Sequence, residues 1–386
     1  MSLFHSNMDH PTQRRQAMGT KYRQVSIWLM VFMLMIPFFG TAAQGAPQLS
    51  AEVLVTGLSH PWDIGQLPDG SLLFTQRSGA LSLYKDGSVV KIADIPEVDA
   101  RGEGGLTALA VDSAFTENRL IYLAYNTLSG GVTEVRVTRY QLSEGLKLEV
   151  PLDIVTGMPA IESGRHSGAQ LEMGADGVLW IGTGDAATAE NPQDPKSLGG
   201  KILRVDREGK PAKGNLGEPF DARIFSFGHR NTQGLVLLPE PINGVLGYSA
   251  EHGSSEDDEF NALVPGNFGW APLPPYQEVV PMTDKERFPD AIDAVWTSGP
   301  TTIAVSGLAQ LRGAQWGSYE NAFVMGVLKG QQLRLLKLNN GDLAAQETLF
   351  EGEFGRIRAV VMGHDGFLYI STDNGDDSII RIGPQP

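Results

Sequence analysis

Short apolar segments, each bounded by Gly, Asp, Asn or Pro, recur along the chain after residue 50. Over the same part of the chain, no long stretch repeats its apolar positions every three to four residues, as an amphipathic helix would. Short apolar runs between turn residues are typical of β-strands joined by tight turns. The pattern therefore predicts an all-β protein.

Four of these segments share a frame in which Asp-Gly or Asn-Gly leads into an apolar strand. They are residues 68–87, 175–185, 242–253 and 364–383. Asp-Gly and Asn-Gly favour hairpin turns in which both turn residues have positive φ. Because the hairpins recur without a strict period, the pattern favours a β-propeller of four-stranded antiparallel blades over a sandwich. At roughly forty to sixty residues per blade, the chain after its leader would form about six to eight blades, and long loops favour six.

The first 45 residues differ from the rest of the chain. Basic residues precede an apolar run at 25–40, which a small-residue segment follows. The run is shorter than the roughly 20 apolar residues that span a bilayer. We therefore predict a signal peptide at residues 1–45, cleaved near Ala43–Ala46, and a single propeller domain at residues 46–386. A retained membrane anchor is the alternative. The prediction implies a periplasmic or secreted protein.

Composition and charge narrow the chemistry. The chain has no cysteine, so disulfides, thiolate catalysis and Cys-ligated metals are excluded. Its net charge of −15 repels nucleic acid and anionic lipid, so we expect neither nucleic acid nor stable membrane insertion. The sequence also lacks a zincin histidine pair, a Gly-x-Ser-x-Gly motif, a Walker loop and a dinucleotide fingerprint. The usual hydrolase and nucleotide-binding functions therefore have no support.

Glycine-flanked polar clusters lie at the ends of the predicted strands. They are residues 101–106, 164–171, 182–187, 228–235, 251–261, 328–333 and 355–360. Together they supply a histidine, an acidic loop and several cationic side chains, namely His166, Arg230, Lys329, Arg356 and Arg358. Arginine binds carboxylates in a bidentate manner and lysine supplies a point charge, so the set suits a small polyanionic ligand with a divalent cation. Each cluster alone could be an ordinary turn, and His166 alone a turn histidine.

Six sequence blocks, most of which contain one of these clusters, occur in the order found in one known family. They are RGEGGLTALAVDSAF, HSGAQLEMGADGVLWIGTGD, DPKSLGGKILRVDREG, FGHRNTQGLVLLP, EHGSSEDDEFNALVPGNFGW and GRIRAVVMGHDGFLYISTDN. In these blocks the chain resembles the soluble aldose sugar dehydrogenases of the glucose/sorbosone dehydrogenase family, which depend on pyrroloquinoline quinone (PQQ). The resemblance implies a six-bladed propeller that oxidises the C1 hydroxyl of aldoses to lactones with PQQ and Ca²⁺. Electrons would pass to an external acceptor, and the protein would be a monomer or homodimer.

The resemblance also implies roles for individual residues. His166 would be the general base that takes the proton of the C1 hydroxyl while hydride moves to the quinone C5. Asp185 would be its carboxylate partner, and histidine suits the task because it titrates near neutral pH. Further residues would bind the cofactor, at its quinone oxygens or its carboxylates. These are Glu103, Arg230, Asn231, Lys329, Arg356 and Arg358. The glycines around His166 would allow a flat cofactor and a sugar to approach the backbone.

The acidic loop resembles the calcium-binding segment of the family. There the backbone carbonyls of Gly253 and Ser254 would bind the Ca²⁺ that polarises the quinone, since Ca²⁺ prefers oxygen ligands. A second, structural calcium would be bound by the region of Asp258, Glu259 and Phe268. A solvated acidic loop is the alternative.

Four positions depart from the family pattern. Glu103 replaces the usual Gln and would place a carboxyl beside the cofactor. Three further departures concern backbone geometry or carbonyl ligands, namely Thr232 for Pro, Ser254 for Pro and Phe268 for Tyr. Two other functions remain open. One is a Ca²⁺-dependent lactonase that uses His166 without a quinone, and the other is a non-catalytic carbohydrate-binding propeller whose quinone site has decayed.

Overall fold

The computed structural model describes residues 45–385 as a six-bladed β-propeller of antiparallel four-stranded blades, which confirms the predicted fold. The predicted signal peptide lies outside the described residues, except for Gly45 at its end. Strand β1 is Leu49–Leu58. Blade 1 contains β2 (Pro61–Gln66), β3 (Leu72–Gln76), β4 (Ala80–Lys85) and β5 (Ser88–Asp94). Blade 2 contains β6 (Leu106–Val111), β7 (Leu120–Ser129), β8 (Val132–Leu142) and β9 (Leu148–Pro159), with a short helix α1 (Phe115–Asn118) between β6 and β7.

The other blades follow the same plan. Blade 3 contains β10 (Gly168–Met173), β11 (Leu179–Thr183), β12 (Lys201–Val205) and β13 (Ile224–Phe227). Blade 4 contains β14 (Thr232–Ile242), β15 (Val245–Glu251), β16 (Glu259–Ala262) and β18 (Trp296–Thr297), while the intervening β17 (Gly266–Asn267) pairs in parallel with β13. Blade 5 contains β19 (Val305–Gln310), β20 (Phe323–Val327), β21 (Gln332–Asn339) and β22 (Asp342–Leu349), with a 3₁₀ helix at Ala314–Tyr319. Blade 6 contains β23 (Ile357–Met362), β24 (Leu368–Thr372), β25 (Asp377–Pro384) and β1.

The Asp-Gly and Asn-Gly pairs join the first two strands of blades 1, 3, 4 and 6. Among these four pairs, only Asn243-Gly244 has positive φ at both residues, at 52° and 84°. In the three Asp-Gly turns the glycine alone has positive φ, and the aspartate oxygen accepts the backbone N–H two residues later. The predicted hairpins are therefore present, but three of them use a side-chain hydrogen bond where positive φ at both turn residues was expected.

The two ends of the described chain close the ring. The innermost strands β2, β6, β10, β14, β19 and β23 each contact the next around the axis. Blade 6 takes its outermost strand from the start of the chain, because β1 pairs antiparallel with β25 from Leu49↔Pro384 to Leu58↔Asp377. Apolar clusters fill the spaces between neighbouring blades. Residues 45–385 contain no helix long and apolar enough to cross a membrane.

A small polar cavity of about 130 Å³ lies on the axis, lined by the innermost strands of all six blades. Gln170 and Glu172 lie two residues apart on β10 and both line it, together with Asp63 of β2. Burial raises the pKa of Asp63 to about 7. Burial, and then the negative charge of Asp63, raise the pKa of Glu172 to about 8. Near neutral pH, Glu172 is therefore mainly in the neutral form, whereas Asp63 lies close to its titration midpoint.

Replacing Glu172 with glutamine is expected to make the protein more stable at alkaline pH. The pKa of Glu172 is about 8 when folded, against an ordinary value of 4.5, so the folded state binds more protons between these values. The contribution of Glu172 to the free energy of unfolding therefore falls as pH rises from about 4.5 to 8, and the neutral amide removes that contribution. Urea unfolding at pH 5 and pH 9 should show the advantage of Glu172→Gln growing by up to about 4 kcal/mol. The exposed Glu353→Gln is the control, and an advantage that does not change with pH would contradict the prediction.

Candidate active site

A cavity of about 500 Å³ opens at one end of the propeller axis. All six innermost strands contribute to it, with residues that lie within three positions of the first residue of the strand. These include His60, Trp62, Glu103, Thr107, His166, Gly168, Arg230, Asn231, Gln233, Ala304, Arg356 and Arg358. Polar clusters that are far apart in sequence therefore meet because the strands that follow them all begin at this end of the axis. Most of the predicted cofactor-binding residues are among them.

His166 lies in the cavity wall and is 5% exposed. Its Nδ1 is 2.9 Å from Asp185 Oδ1 and 3.0 Å from the hydroxyl of Tyr276. An Nδ1–H that donates to the Asp185 carboxylate leaves the lone pair of the neutral ring on Nε2. Nε2 is then the ring nitrogen that can accept a proton from a molecule in the cavity.

Asp185 lies behind His166 and is fully buried. Each carboxylate oxygen has two donors. Oδ1 accepts from His166 Nδ1 and from the backbone N–H of Ala187, and Oδ2 accepts from Trp270 Nε1 at 2.8 Å and from the Tyr276 hydroxyl at 2.7 Å. Four donors stabilise a buried carboxylate in its charged form. Asp185 can therefore hold the His166 ring in one orientation.

The backbone around His166 is tightly packed. His166 itself has a φ of +54°, which is unusual for a residue with a side chain. A Cβ on Gly168 would lie 2.2 Å from the backbone N of Gly184, and a Cβ on Gly184 would lie 1.8 Å from the carbonyl oxygen of His166. These glycines are required because β10 and the end of β11 approach each other closely. Packing within the protein therefore requires glycine at both positions, and the expectation that the glycines let a ligand approach the backbone stays a prediction.

Glu103 is exposed at the edge of the cavity and contacts the histidine segment. Its Oε2 accepts the backbone N–H of His166 at 3.2 Å, and its own N–H donates to the carbonyl of Ser163 at 3.0 Å. In this structure the carboxyl of Glu103 therefore supports the backbone of His166.

Arg230 and Asn231 are both buried and line the cavity. The Arg230 guanidinium donates through Nε to Glu278 Oε1 at 2.7 Å and through Nη1 to the carbonyl of His252 at 3.1 Å. Asn231 Oδ1 accepts from Gln233 Nε2 at 3.3 Å. Both polar side chains are thus oriented by the protein at the cavity wall.

Arg358 is 9% exposed and is held on three sides. Nη2 donates to Asp373 Oδ2 at 2.8 Å, Nη1 donates to Gln233 Oε1 at 3.0 Å, and the guanidinium carbon lies 3.9 Å from the centre of the Trp62 ring. Burial lowers the pKa of Arg358, and the negative charge of Asp373 opposes that effect. Among residues 45–385 its buried Nε has no hydrogen-bond partner. One donor of a buried cation is therefore unused.

The two remaining cationic residues differ in position. Arg356 lines the cavity, and its Nε donates to the carbonyl of Asp373 at 3.1 Å. Lys329 is exposed, and its neighbour Leu328 contributes to the lining where Lys329 does not. The structure therefore groups Arg356 with Arg358 but leaves the Lys329 side chain outside the cavity wall. A role for Lys329 at the cofactor stays a prediction.

Gly253 and Ser254 line the cavity on the side of blade 4. A Cβ on Gly253 would lie 1.9 Å from the carbonyl oxygen of Glu256, so only glycine fits this turn. Within the described part of the chain, neither carbonyl accepts a hydrogen bond. Two free backbone carbonyls beside a polar cavity are suitable oxygen donors for a hard cation such as Ca²⁺.

The three residues predicted for the structural calcium, Asp258, Glu259 and Phe268, have different environments in the structure. Both carboxylate oxygens of Asp258 are occupied by four donors, which connect the 253–258 turn to residues 302–304. Burial, and then the charge of Glu251, raise the pKa of Glu259 to about 8. The ring of Phe268 stacks on His229 at 4.5 Å. Calcium binding here stays a prediction, and the four donors count against Asp258 as a ligand.

Several residues at the site were missed from the sequence. His60 and Trp62 flank the start of β2, and the rule that polar clusters precede innermost strands would have found them. Asp373 is the penultimate residue of a quoted motif, yet its contacts with Arg358 and with His60 Nδ1, at 2.6 Å, become visible only in the structure. Tyr276 and Glu278 lie in the 271–300 loop, which carries no readable pattern.

His252 is another missed residue of the cavity wall. Burial, followed by the positive charges of Arg230 and Arg358, lowers its pKa well below the ordinary value. Its Nε2 is buried and has no partner among the described residues. This ring is therefore neutral, and its Nε2 is enclosed within the cavity wall.

Comparison with known proteins gives consistent matches. The sequence profile of the Glucose / Sorbosone dehydrogenase family matches residues 58–381. Aldose sugar dehydrogenase YliI of Escherichia coli (strain K12) is 28% identical over 380 residues, which covers 92% of this chain and 98% of that protein. A solved structure of a glucose dehydrogenase superposes with a TM-score of 0.80 at 32% identity and covers 87% of this chain and 100% of that chain. The PQQ-bound aldose sugar dehydrogenase of Streptomyces coelicolor superposes with a TM-score of 0.73 at 30% identity, covering 89% and 100%.

Proposed function

The chain belongs to the glucose/sorbosone dehydrogenase family, and on that premise we propose that it oxidises the C1 hydroxyl of aldose sugars to lactones, using PQQ and Ca²⁺. The observation that carries the proposal is the His166–Asp185 pair in the wall of a cavity that also holds Arg230 and Arg358. A base beside a group of cations suits a reaction in which a neutral sugar meets an anionic cofactor. The names of the relatives support a PQQ-dependent sugar dehydrogenase.

The donors in the cavity fit a flat, polyanionic cofactor. The unpartnered Nε of Arg358 is a charged donor in a desolvated position, where a bond to a carboxylate is strong. Arg356 lies beside it, and Arg230 and Asn231 lie on another wall. By this arrangement, the first pair would bind carboxylates and the second pair would bind the quinone oxygens.

The carbonyl oxygens of Gly253 and Ser254 fit a bound Ca²⁺. Both are free within the described chain and lie beside the cavity. A cation held there would lie on the same side of the cavity as His252, whose neutral ring adds no positive charge next to it. We propose these two carbonyls as the protein ligands of the catalytic Ca²⁺.

When bound, PQQ would act as the two-electron acceptor for the hydride from C1. The protein supplies the acid–base chemistry. His166 Nε2 would accept the proton of the C1 hydroxyl, since Nδ1–H already donates to Asp185. The buried Asp185 carboxylate would stabilise the imidazolium that results and keep the ring in position. Glu103 would help to fix the His166 backbone through its bond to the amide N–H.

We further propose that the protein is exported, is a monomer or homodimer, and passes electrons to an external acceptor. The net charge of −15 favours a basic acceptor, because complementary charge increases the rate of encounter. The preferred aldose would depend on the loops around the cavity mouth.

Reconstitution tests the proposed function directly. Apoprotein would be titrated with PQQ and Ca²⁺ and then supplied with a panel of aldoses and an artificial dye acceptor. The proposal predicts that the dye is reduced only when PQQ, Ca²⁺ and an aldose are all present. Absence of dye reduction despite saturation with PQQ would overturn it. Lactone hydrolysis with Ca²⁺ alone would instead indicate the lactonase, and sugar binding without turnover would indicate a binding protein.

A further inference from the structure

The 273–278 turn lies within the long segment between β17 and β18 and reaches the candidate active site. Leu273 and Gln277 form a two-residue bridge, with each backbone N–H donating to the carbonyl of the other. Exposure alternates from residue 276 onwards, so that Tyr276 and Glu278 are partly buried while Gln277 and Val279 are exposed. The turn therefore directs two polar side chains towards the site.

Tyr276 contacts both members of the proposed catalytic pair. Its hydroxyl lies 2.7 Å from Asp185 Oδ2 and 3.0 Å from His166 Nδ1. Its ring meets the His166 ring edge to face, with centres 5.9 Å apart and planes at 63°. Because an ionised carboxylate only accepts, the tyrosine O–H donates to Asp185, and its oxygen remains a second acceptor for the His166 Nδ1–H.

Glu278 fastens the turn to two arginines of the cavity wall. Its Oε1 accepts from Arg230 Nε at 2.7 Å, and its Oε2 accepts from Arg165 Nη2 at 2.5 Å. The Arg165 guanidinium also lies 5.3 Å from the centre of the Tyr276 ring. Tyr276 is therefore held on one side by its turn and on the other by a stacked cation, so its hydroxyl has a defined position.

We propose that Tyr276 is a positioning residue for the base, acting on His166 through Asp185. Its hydroxyl takes part of the negative charge of Asp185 Oδ2 by donating a hydrogen bond, which moderates how strongly Asp185 stabilises a protonated His166. Its oxygen also shares the Nδ1–H, which keeps that proton on Nδ1 and the lone pair on Nε2. The inference rests on the proposed function, since it concerns how that reaction's base is tuned.

Replacing Tyr276 with phenylalanine should therefore alter the pH dependence of catalysis. With one donor fewer, the carboxylate of Asp185 retains more charge for His166, and the protonated ring is favoured. The acidic limb of the kcat/KM profile should move to higher pH by about 0.5–1 unit. In apoprotein, the His166 Nδ1–H proton resonance should move downfield, because a single acceptor would now bind it. The matched control is Tyr319→Phe, which removes a comparable tyrosine–carboxylate bond of 2.7 Å to Glu347 in blade 5.

The two measurements separate the inference from the function on which it rests. A Tyr276→Phe protein with an unmoved pH profile and an unmoved Nδ1–H resonance would overturn the positioning role, as would equal shifts in Tyr319→Phe. A wild-type protein without dehydrogenase activity would overturn the proposed function, and the resonance of the apoprotein would still decide the role of Tyr276. Thermal unfolding of both variants would establish that each is folded.

Discussion

Replacing His166 with alanine is expected to lower turnover by a factor on the order of a hundred or more, while PQQ affinity stays within a few-fold of wild type. The reason is that His166 Nε2 is the proposed proton acceptor, whereas binding of an anionic cofactor would depend on the arginines. Steady-state kinetics with a saturating aldose and a dye acceptor, together with a quinone titration of the apoprotein, would measure both quantities.

His364→Ala is the matched control for the His166 variant. His364 is exposed and lines a different cavity, at the other end of the innermost strands, where its backbone N–H donates to Gln66. The His364→Ala substitution should leave both turnover and quinone affinity unchanged. A His166→Ala protein that binds PQQ normally and keeps its full turnover would rule out His166 as the base.

Local turn chemistry made the blades predictable from the sequence. A pair such as Asp176-Gly177 determines where one strand ends and the next begins, so the first hairpin of a blade can be read from neighbouring residues. The same locality explains why polar clusters at strand starts predicted much of the cavity. His166 and Arg230 are 64 residues apart, yet both immediately precede an innermost strand, and the ring brings those positions together.

Other features depend on pairings between distant parts of the chain. Nothing in the β1 sequence specifies β25 as its partner. The closure of the ring becomes visible only when the structure shows that these two strands pair. Tyr276 reaches Asp185 across 91 positions from a loop without periodicity. Asp258 illustrates the same point, since its residue type suggests a metal ligand, while the four donors that contact its carboxylate become visible only in the structure. The sequence gives the type of each side chain, but the residue that the side chain contacts depends on how distant parts of the chain fold together.

Replacing Arg358 with leucine is expected to raise the dissociation constant for PQQ by roughly a hundredfold or more. The guanidinium is buried, and its Nε is the unpartnered donor proposed to meet a cofactor carboxylate, so leucine removes a desolvated charge that water cannot replace. Arg358→Lys should recover little affinity. The planar guanidinium lies against Trp62 and directs separate N–H groups at Asp373 and Gln233, with Nε left for the cofactor. A lysine ammonium is a single point charge and cannot make all of these hydrogen bonds at once. Quenching of tryptophan fluorescence during a quinone titration would measure the change.

Arg334→Leu is the control for the loss of a partly buried arginine. Arg334 lies in β21, away from the cavity, and its Nε is also buried without a partner among the described residues. Burial lowers its pKa as it does for Arg358, although Arg334 is only half-buried and does not line the cavity. If both leucine variants remain folded in thermal unfolding and bind PQQ equally well, the unused donor of Arg358 does not serve the cofactor. Weakened binding in Arg358→Leu alone would support binding of the PQQ carboxylates at the β23 side of the cavity, across the axis from the proposed base His166.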